Sequence, residues 1–294
     1  MSVEPQALNQ ADTLPAGPCN QIDNQCLYVS LFDLVQHHLG FHPALSYEQV
    51  YDIEALRPFL NEFTPGSDWA IYVADKLVGE MASAVTEQYK RIRICLSDAD
   101  STAYSALVGD GQKSSHVNPA MGERGVVRYS SYSHHQVLEI ECAVVKKVRQ
   151  LYPDLEVDIT VPFVRTQSDA AMMIDRLAEY GLARGVDGLK VHFSIDVPSS
   201  ALLAHKLLHY FDGISINVSH LAQFTLGLAS DNTKVAHLVD PENEAVLALL
   251  DMALTASLNA GKPVTVVSTS LSFHQNYRDR LVHPHEHQIL HVTM

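Results

Sequence analysis

The sequence has no apolar run near the ~20 residues that a membrane-spanning helix requires. Basic residues are in deficit, with 20 Lys and Arg against 34 Asp and Glu, for a formal charge of −14. That balance excludes nucleic acid and an anionic membrane as expected partners. Cysteine is scarce: Cys19, Cys26, Cys95 and Cys142 form no CxxC pair and no disulfide framework. Buried thiols in a reducing cytoplasm are therefore expected. The opening MSVEPQALNQADTLPAGPCNQ has neither a basic start nor an apolar block, so no signal peptide is expected. No glycine-rich phosphate turn follows any early strand, which weighs against a doubly wound sheet without removing it.

What is present is an ordinary globular composition. The chain has 294 residues, 47% of them hydrophobic, enough for a large core in one big domain or two small ones. Residues 1–24 mix Pro, Gly, Asn, Gln and Ala without periodicity and are expected to be a flexible tail. Residues 25–294 alternate β-rich runs with amphipathic helices. Eight strands are expected: CLYVSL (26–31), RIRICL (91–96), GVVRYS (125–130), VDITVPFV (157–164), LKVHFSI (189–195), GISINV (213–218), PVTVVS (263–268) and QILHVTM (288–294). Helices are expected at 68–89, 134–152, 168–185, 199–211 and 242–261, with Ser168 and Ser199 as caps and Gly181, Gly185 and Gly261 near helix ends. This alternation predicts an α/β fold of the TIM type, a (β/α)8 barrel lacking its last outer helix.

In such a barrel the site lies where strands end. The polar groups falling there include Cys95, Asp98, the segment Asn118 to Arg128, Arg165, Asp196, His220 and the run Ser268 to Ser270. Period-two alternation puts His192, Ser194 and Asp196 on one face, a polar face for a barrel interior. Asp196 and His220, each near the end of a strand, could bind a divalent metal, with His192 as a third ligand. Imidazole beside carboxylate suits manganese, iron or zinc better than magnesium. Sixteen histidines, among them HPHEH at 283–287, suggest metal binding by composition alone.

A family resemblance emerges from the order of motifs. GFHP (40–43), LSDADSTAY (96–104), NPAMGERGVVRY (118–129), LEIECAVVKKVR (138–149), VDITVPFVRT (157–166), GLARGVDGLKV (181–191), VPSSALLAHKLLHYFDGISI (197–216), AQFTLGL (222–228) and GKPVTVV (261–267) follow one another as in phosphoenolpyruvate synthase (pyruvate, water dikinase). The chain resembles the C-terminal phosphoenolpyruvate (PEP)- and pyruvate-binding barrel of that family, which pyruvate, phosphate dikinase shares. The resemblance implies a barrel in which arginines hold the phosphate and carboxylate, a Glu and an Asp carry magnesium, and a cysteine exchanges the methylene proton. It also implies homodimerisation. Few of those positions match here. Two of the family's arginines fall at Ser30 and Cys95, while the arginine of NPxxGxRG matches Arg124 and the next one Arg128. The metal-binding Glu is replaced by Asp196, the metal-binding Asp by His220 with Ser219 before it, and the cysteine by Val267. The family's ATP-grasp and swivelling domains have no counterpart, so phosphate transfer from ATP is not expected of this chain alone.

Three functions stay open at this level. One is a catalytically silent barrel that binds or regulates, holding a small PEP- or pyruvate-like anion through Asn118, Arg124, Arg128 and Arg165. Another is a metal-dependent enzyme of altered chemistry on a 2-oxo acid, using magnesium, manganese or zinc. The last is the family half-reaction with the missing domains supplied by another chain.

Overall fold

Seven parallel strands, paired strictly in chain order, run through the centre of the protein in the computed structural model, which describes residues 25–109, 118–130, 134–268 and 287–291. β1 (Cys26–Ser30) leads into α1 (Leu31–Leu34), a π-helical turn, α2 (Tyr47–Asp52), a 3₁₀ segment and α3 (Trp69–Ala82). β2 (Arg91–Cys95) is followed by α4 (Ser101–Ser105), α5 (Val126–Ser130) and α6 (His135–Leu151), and β3 (Glu156–Val161) by α7 (Gln167–Glu179). β4 (Val191–Ile195) precedes α8 (Pro198–Leu202) and α9 (Ala204–Leu207). β5 (Gly213–Asn217) runs into α10 (Val218–Leu226) and α11 (Glu244–Ala260), before β6 (Val264–Ser268) and β7 (His287–His291). Among the described residues no helix is long and apolar enough to cross a membrane. The segment 1–24 and the histidine-rich run up to 286 lie outside the described residues.

The sheet is strongly curled. Laid flat at ~4.8 Å per strand, β2 and β6 would stand about 19 Å apart, beyond the joint reach of an arginine and a threonine. Yet the Arg93 guanidinium on β2 donates to the Thr265 hydroxyl on β6. The architecture is thus α/β and barrel-type, as expected.

Its two faces divide by chemistry. Ile92, Ile94, Ile159, Val161, Val191, Phe193, Ile195, Ile214, Ile216, Val264 and Val266 share one parity and are buried against the helices. The opposite parity carries Tyr28, Arg93, Cys95, Asp158, Thr160, His192, Ser194, Ser215 and Thr265, brought side by side by the in-register pairing. Barrel interiors ordinarily hold Val, Ile and Leu; this one is polar. Arg93, 1% exposed, approaches Asp158 (3.4 Å) and His192 (3.5 Å). Gly213 makes room there, because a Cβ on it would stand 2.4 Å from His192 Nδ1.

Four expectations are corrected. The segment 125–130 is not a strand: Gly125 turns the chain at φ +51°, and Arg128 and Tyr129 N–H groups bond back to its carbonyl, forming α5. Val126 and Tyr129, three apart, face the core at helical period, and this packing overrides β propensity. The strand count among the described residues is therefore seven, not eight. The cap of α7 is Thr166 in a reciprocal box with Asp169, and not Ser168. Ser199 lies inside α8 behind Pro198, and the run expected as one helix at 199–211 breaks at Leu203.

Candidate functional site

The strand ends and the loops after them bring Asp98, Arg124, Phe163, Asp196 and His220 together. Asp196 directly follows β4. Its Oδ2 accepts from the Phe163 backbone N–H at 2.8 Å, and its Oδ1 pairs with His220 Nδ1 at 2.8 Å. His220 is not on β5 but in the first turn of α10, where Asn217 accepts from its N–H and caps the helix. Its other nitrogen, Nε2, stands 3.0 Å from Arg124 Nη2. A guanidinium can only donate, so Nε2 is the acceptor and Nδ1 carries the proton toward Asp196. The result is a closed chain from guanidinium through imidazole to carboxylate.

Arg124 is fixed on every side. Its Nε donates to the Asp98 carbonyl at 2.8 Å, and its guanidinium carbon lies 4.4 Å from the Phe163 ring centroid and 5.9 Å from that of Phe224. Such cation–π contacts suit a planar, weakly hydrated cation. Phe163 reaches this place through a positive φ of +57°. Gly125 lets the arginine loop approach, since a Cβ there would stand 2.5 Å from the Pro162 carbonyl.

The electrostatics follow from burial and pairing. Burial alone would raise the Asp196 pKa, but the bonds from His220 and Phe163 outweigh it and hold the carboxyl below its usual range. Asp98 is pushed up by burial, against the pull of His220. Burial also lowers Arg124, while Asp98, Asp100 and Asp196 support its charge. The Cys95 thiol is raised by burial and by Asp98, so it has no thiolate character.

The other sequence candidates are not links of this chain of contacts, although Arg165 adjoins it. Arg128 stacks 4.0 Å over the Tyr104 ring and bonds the Glu123 carbonyl and His134. Arg165 donates to the Phe163 and Arg124 carbonyls, half-buried behind the same loop. Asn118 is exposed, its carbonyl closing a turn with Met121. His192 lies four residues before Asp196, about 13 Å down the strand, and its Nε2 faces Asp158 at 3.6 Å. The structure does not bring it to the other two candidate ligands.

Sequence reasoning missed Phe163, Phe224 and Glu141. Glu141 is buried in α6, where the Ser97 N–H, the Ser97 hydroxyl and the Tyr129 hydroxyl all donate to it. A signal existed: at helical spacing Val137, Glu141, Val144 and Val148 form one apolar stripe with an acid inside it. Asp100 caps α4, while Asp98, one of the polar groups expected at a strand end, faces His220 at 4.0 Å.

A barrel-type sheet with its polar mouth at the strand ends defines a ligand-binding α/β domain. The chain belongs to the family described as PEP-utilising enzyme, PEP-binding domain, which matches residues 70–269. It is 36% identical over 247 residues to a phosphoenolpyruvate synthase of Escherichia coli K12, covering 83% of this chain and 31% of that protein. It is 41% identical over 204 residues to a phosphoenolpyruvate synthase of Pseudomonas aeruginosa UCBPP-PA14, covering 69% of this chain and 26% of that one. The chain thus spans between a quarter and a third of the length of these curated relatives. Among solved structures, an HpcH/HpaI aldolase/citrate lyase family protein from Burkholderia cenocepacia J2315 superposes with a TM-score of 0.45 and 13% identity, over 90% of this chain and 86% of that one.

The residues do not fit the magnesium that the resemblance implies. Magnesium asks for near-octahedral oxygen ligands, whereas both Asp196 oxygens already accept N–H groups and His220 Nε2 accepts from Arg124. Among the described residues no group of three or more His, Cys, Asp or Glu is placed to hold a metal ion.

Proposed function

We propose that this chain is a PEP-synthase-type barrel that is silent in PEP synthesis and serves as a binding or regulatory module for a small carboxylate anion of the PEP or pyruvate kind. One observation carries the reading: Arg124, His220 and Asp196 satisfy one another in the mouth. Forming an enolate requires cations around the developing charge and a proton donor on one face. The positions that the resemblance gives to two arginines hold Ser30 and Cys95, which are neighbours in register on β1 and β2. The position it gives to the donor holds Val267, buried and apolar. Removing one such stabilising group costs about 100- to 1000-fold in rate, so their joint loss supports silence.

The buried thiols Cys95 and Cys142 support a reducing, cytoplasmic setting. Homodimerisation rests on the family resemblance. The test uses the full chain with pyruvate in D2O containing magnesium. NMR should show the methyl protons exchanging no faster than in buffer, while pyruvate at 100 times its Kd stabilises the fold by about 2.7 kcal/mol. Saturable exchange would refute silence, and the absence of any stabilisation by pyruvate would refute the binding role.

A further inference from the structure

We infer that the Arg124–His220–Asp196 relay has taken the place of a divalent cation, so that this mouth works without metal. The inference rests on the functional reading above and sharpens it, for it states how the site is charged. A cation binds lone pairs, and here each Asp196 oxygen already accepts one N–H while the one basic nitrogen of His220 is engaged by another. Asp196 Oδ1 faces the His220 Nδ1–H at 2.8 Å, and Oδ2 accepts the Phe163 N–H at 2.8 Å. His220 Nε2 faces an Arg124 N–H at 3.0 Å.

Nor can Arg124 swing away at little cost. Its Nε is bound to the Asp98 carbonyl, and its plane lies over Phe163. A divalent ion approaching Nε2 would have to displace a guanidinium that is held elsewhere and would repel it at contact distance. Arginine here supplies permanently the positive charge that a metal brings only when bound. Asp98 stands near, its carboxylate 4.0 Å from the same Nδ1, but among the described residues it completes no group of three ligands.

The experiment is a Mn2+ titration of the full chain, with free Mn2+ read by electron paramagnetic resonance and melting followed in parallel. The wild type should show no saturable site and no melting shift at millimolar MnCl2. His220→Asp combined with Arg124→Met, and the same pair with Asp196→Glu added, should gain one site at least about tenfold tighter than any wild-type binding. At 100 times the Kd that site should raise the melting temperature by about 5 °C or more.

Stoichiometric Mn2+ on the wild type, lost in Asp196→Asn, would overturn the inference, and this arm needs no variant to fold beyond the control. If these combined variants fold and gain nothing, the inference is overturned as well, because something other than the relay would then exclude the metal. The two readings fail separately. Mn2+ binding without proton exchange sinks this inference alone, and proton exchange without an Mn2+ site sinks the functional reading alone.

Discussion

Glu141 offers a prediction whose size can be worked from the structure. It is 3% exposed in α6, and burial pushes its carboxyl up to about 7 against the donors Ser97 and Tyr129. A carboxyl raised in the folded state keeps its proton where the unfolded chain has already lost it. Below the unfolded value near 4.5 both states are protonated and Glu141 costs nothing. From there up to about 7 the folded state binds more protons, so stability falls as pH rises and levels off above. At about 1.4 kcal/mol per unit, the loss between pH 5 and pH 8 comes to about 2–3 kcal/mol.

Glu141→Gln is the perturbation that isolates this effect, because glutamine is isosteric with the protonated acid and keeps an acceptor for Ser97 and Tyr129. Urea unfolding of both proteins at pH 5, 6, 7 and 8 is the assay. The variant should gain about 2–3 kcal/mol relative to wild type across that range. A wild-type-minus-variant difference that stays flat with pH would refute the reasoning. Glu141 also binds the Ser97 that precedes Asp98, so its ionisation acts on the loop holding Arg124.

Gly125→Ala combines a positive φ with a Cβ 2.5 Å from the Pro162 carbonyl, and urea unfolding should read a loss of about 2–5 kcal/mol. Asp158→Asn leaves Arg93 buried with reduced compensation, and the same assay should show about 3–5 kcal/mol lost. The pair Arg93→Met with Asp158→Leu should lose less than that single change, since it removes both charges. Cys95 and Cys142 are buried thiols; a thiol reagent should leave them unlabelled in the native chain and label them in urea, as mass spectrometry would show.

The outer face of the barrel was legible because its period-two apolar runs are dictated by packing under helices. The inner face was legible only in part. His192, Ser194 and Asp196 announced a polar interior, but Arg93 and Asp158 in RIRIC and EVDITV read equally well as solvated strand positions. Segment 125–130 misled because Val-Val and Tyr favour strands locally. What makes it a helix is the turn at Gly125 and the packing of Val126 and Tyr129 against the core, a tertiary constraint. The relay was half visible: Asp196 and His220 stood out as residue types near strand ends. Arg124, in a loop 72 residues before Asp196, could be joined to them only by the curl of the sheet.

The charge at the mouth also bears on which anion belongs there. Arg128 is stacked away on Tyr104, which leaves Arg124 and Arg165 as the cations and Asp196 as the carboxylate kept ionised by its partners. Asp98 is shifted toward its neutral form by burial. Asp98 and Asp100 also sit beside Arg124, so the mouth carries little net positive charge, and a multiply charged phosphate ester exceeds it by more than a monocarboxylate does. Without a divalent ion, the surplus negative charge of PEP would face Asp196 uncompensated, and desolvating it would find no return. Pyruvate should therefore stabilise the chain at least as strongly as PEP at equal concentration, with or without magnesium, when melting temperatures are compared. A clear preference for PEP that depends on magnesium would mean that the mouth recovers its cations on binding, and that the relay opens when ligand arrives.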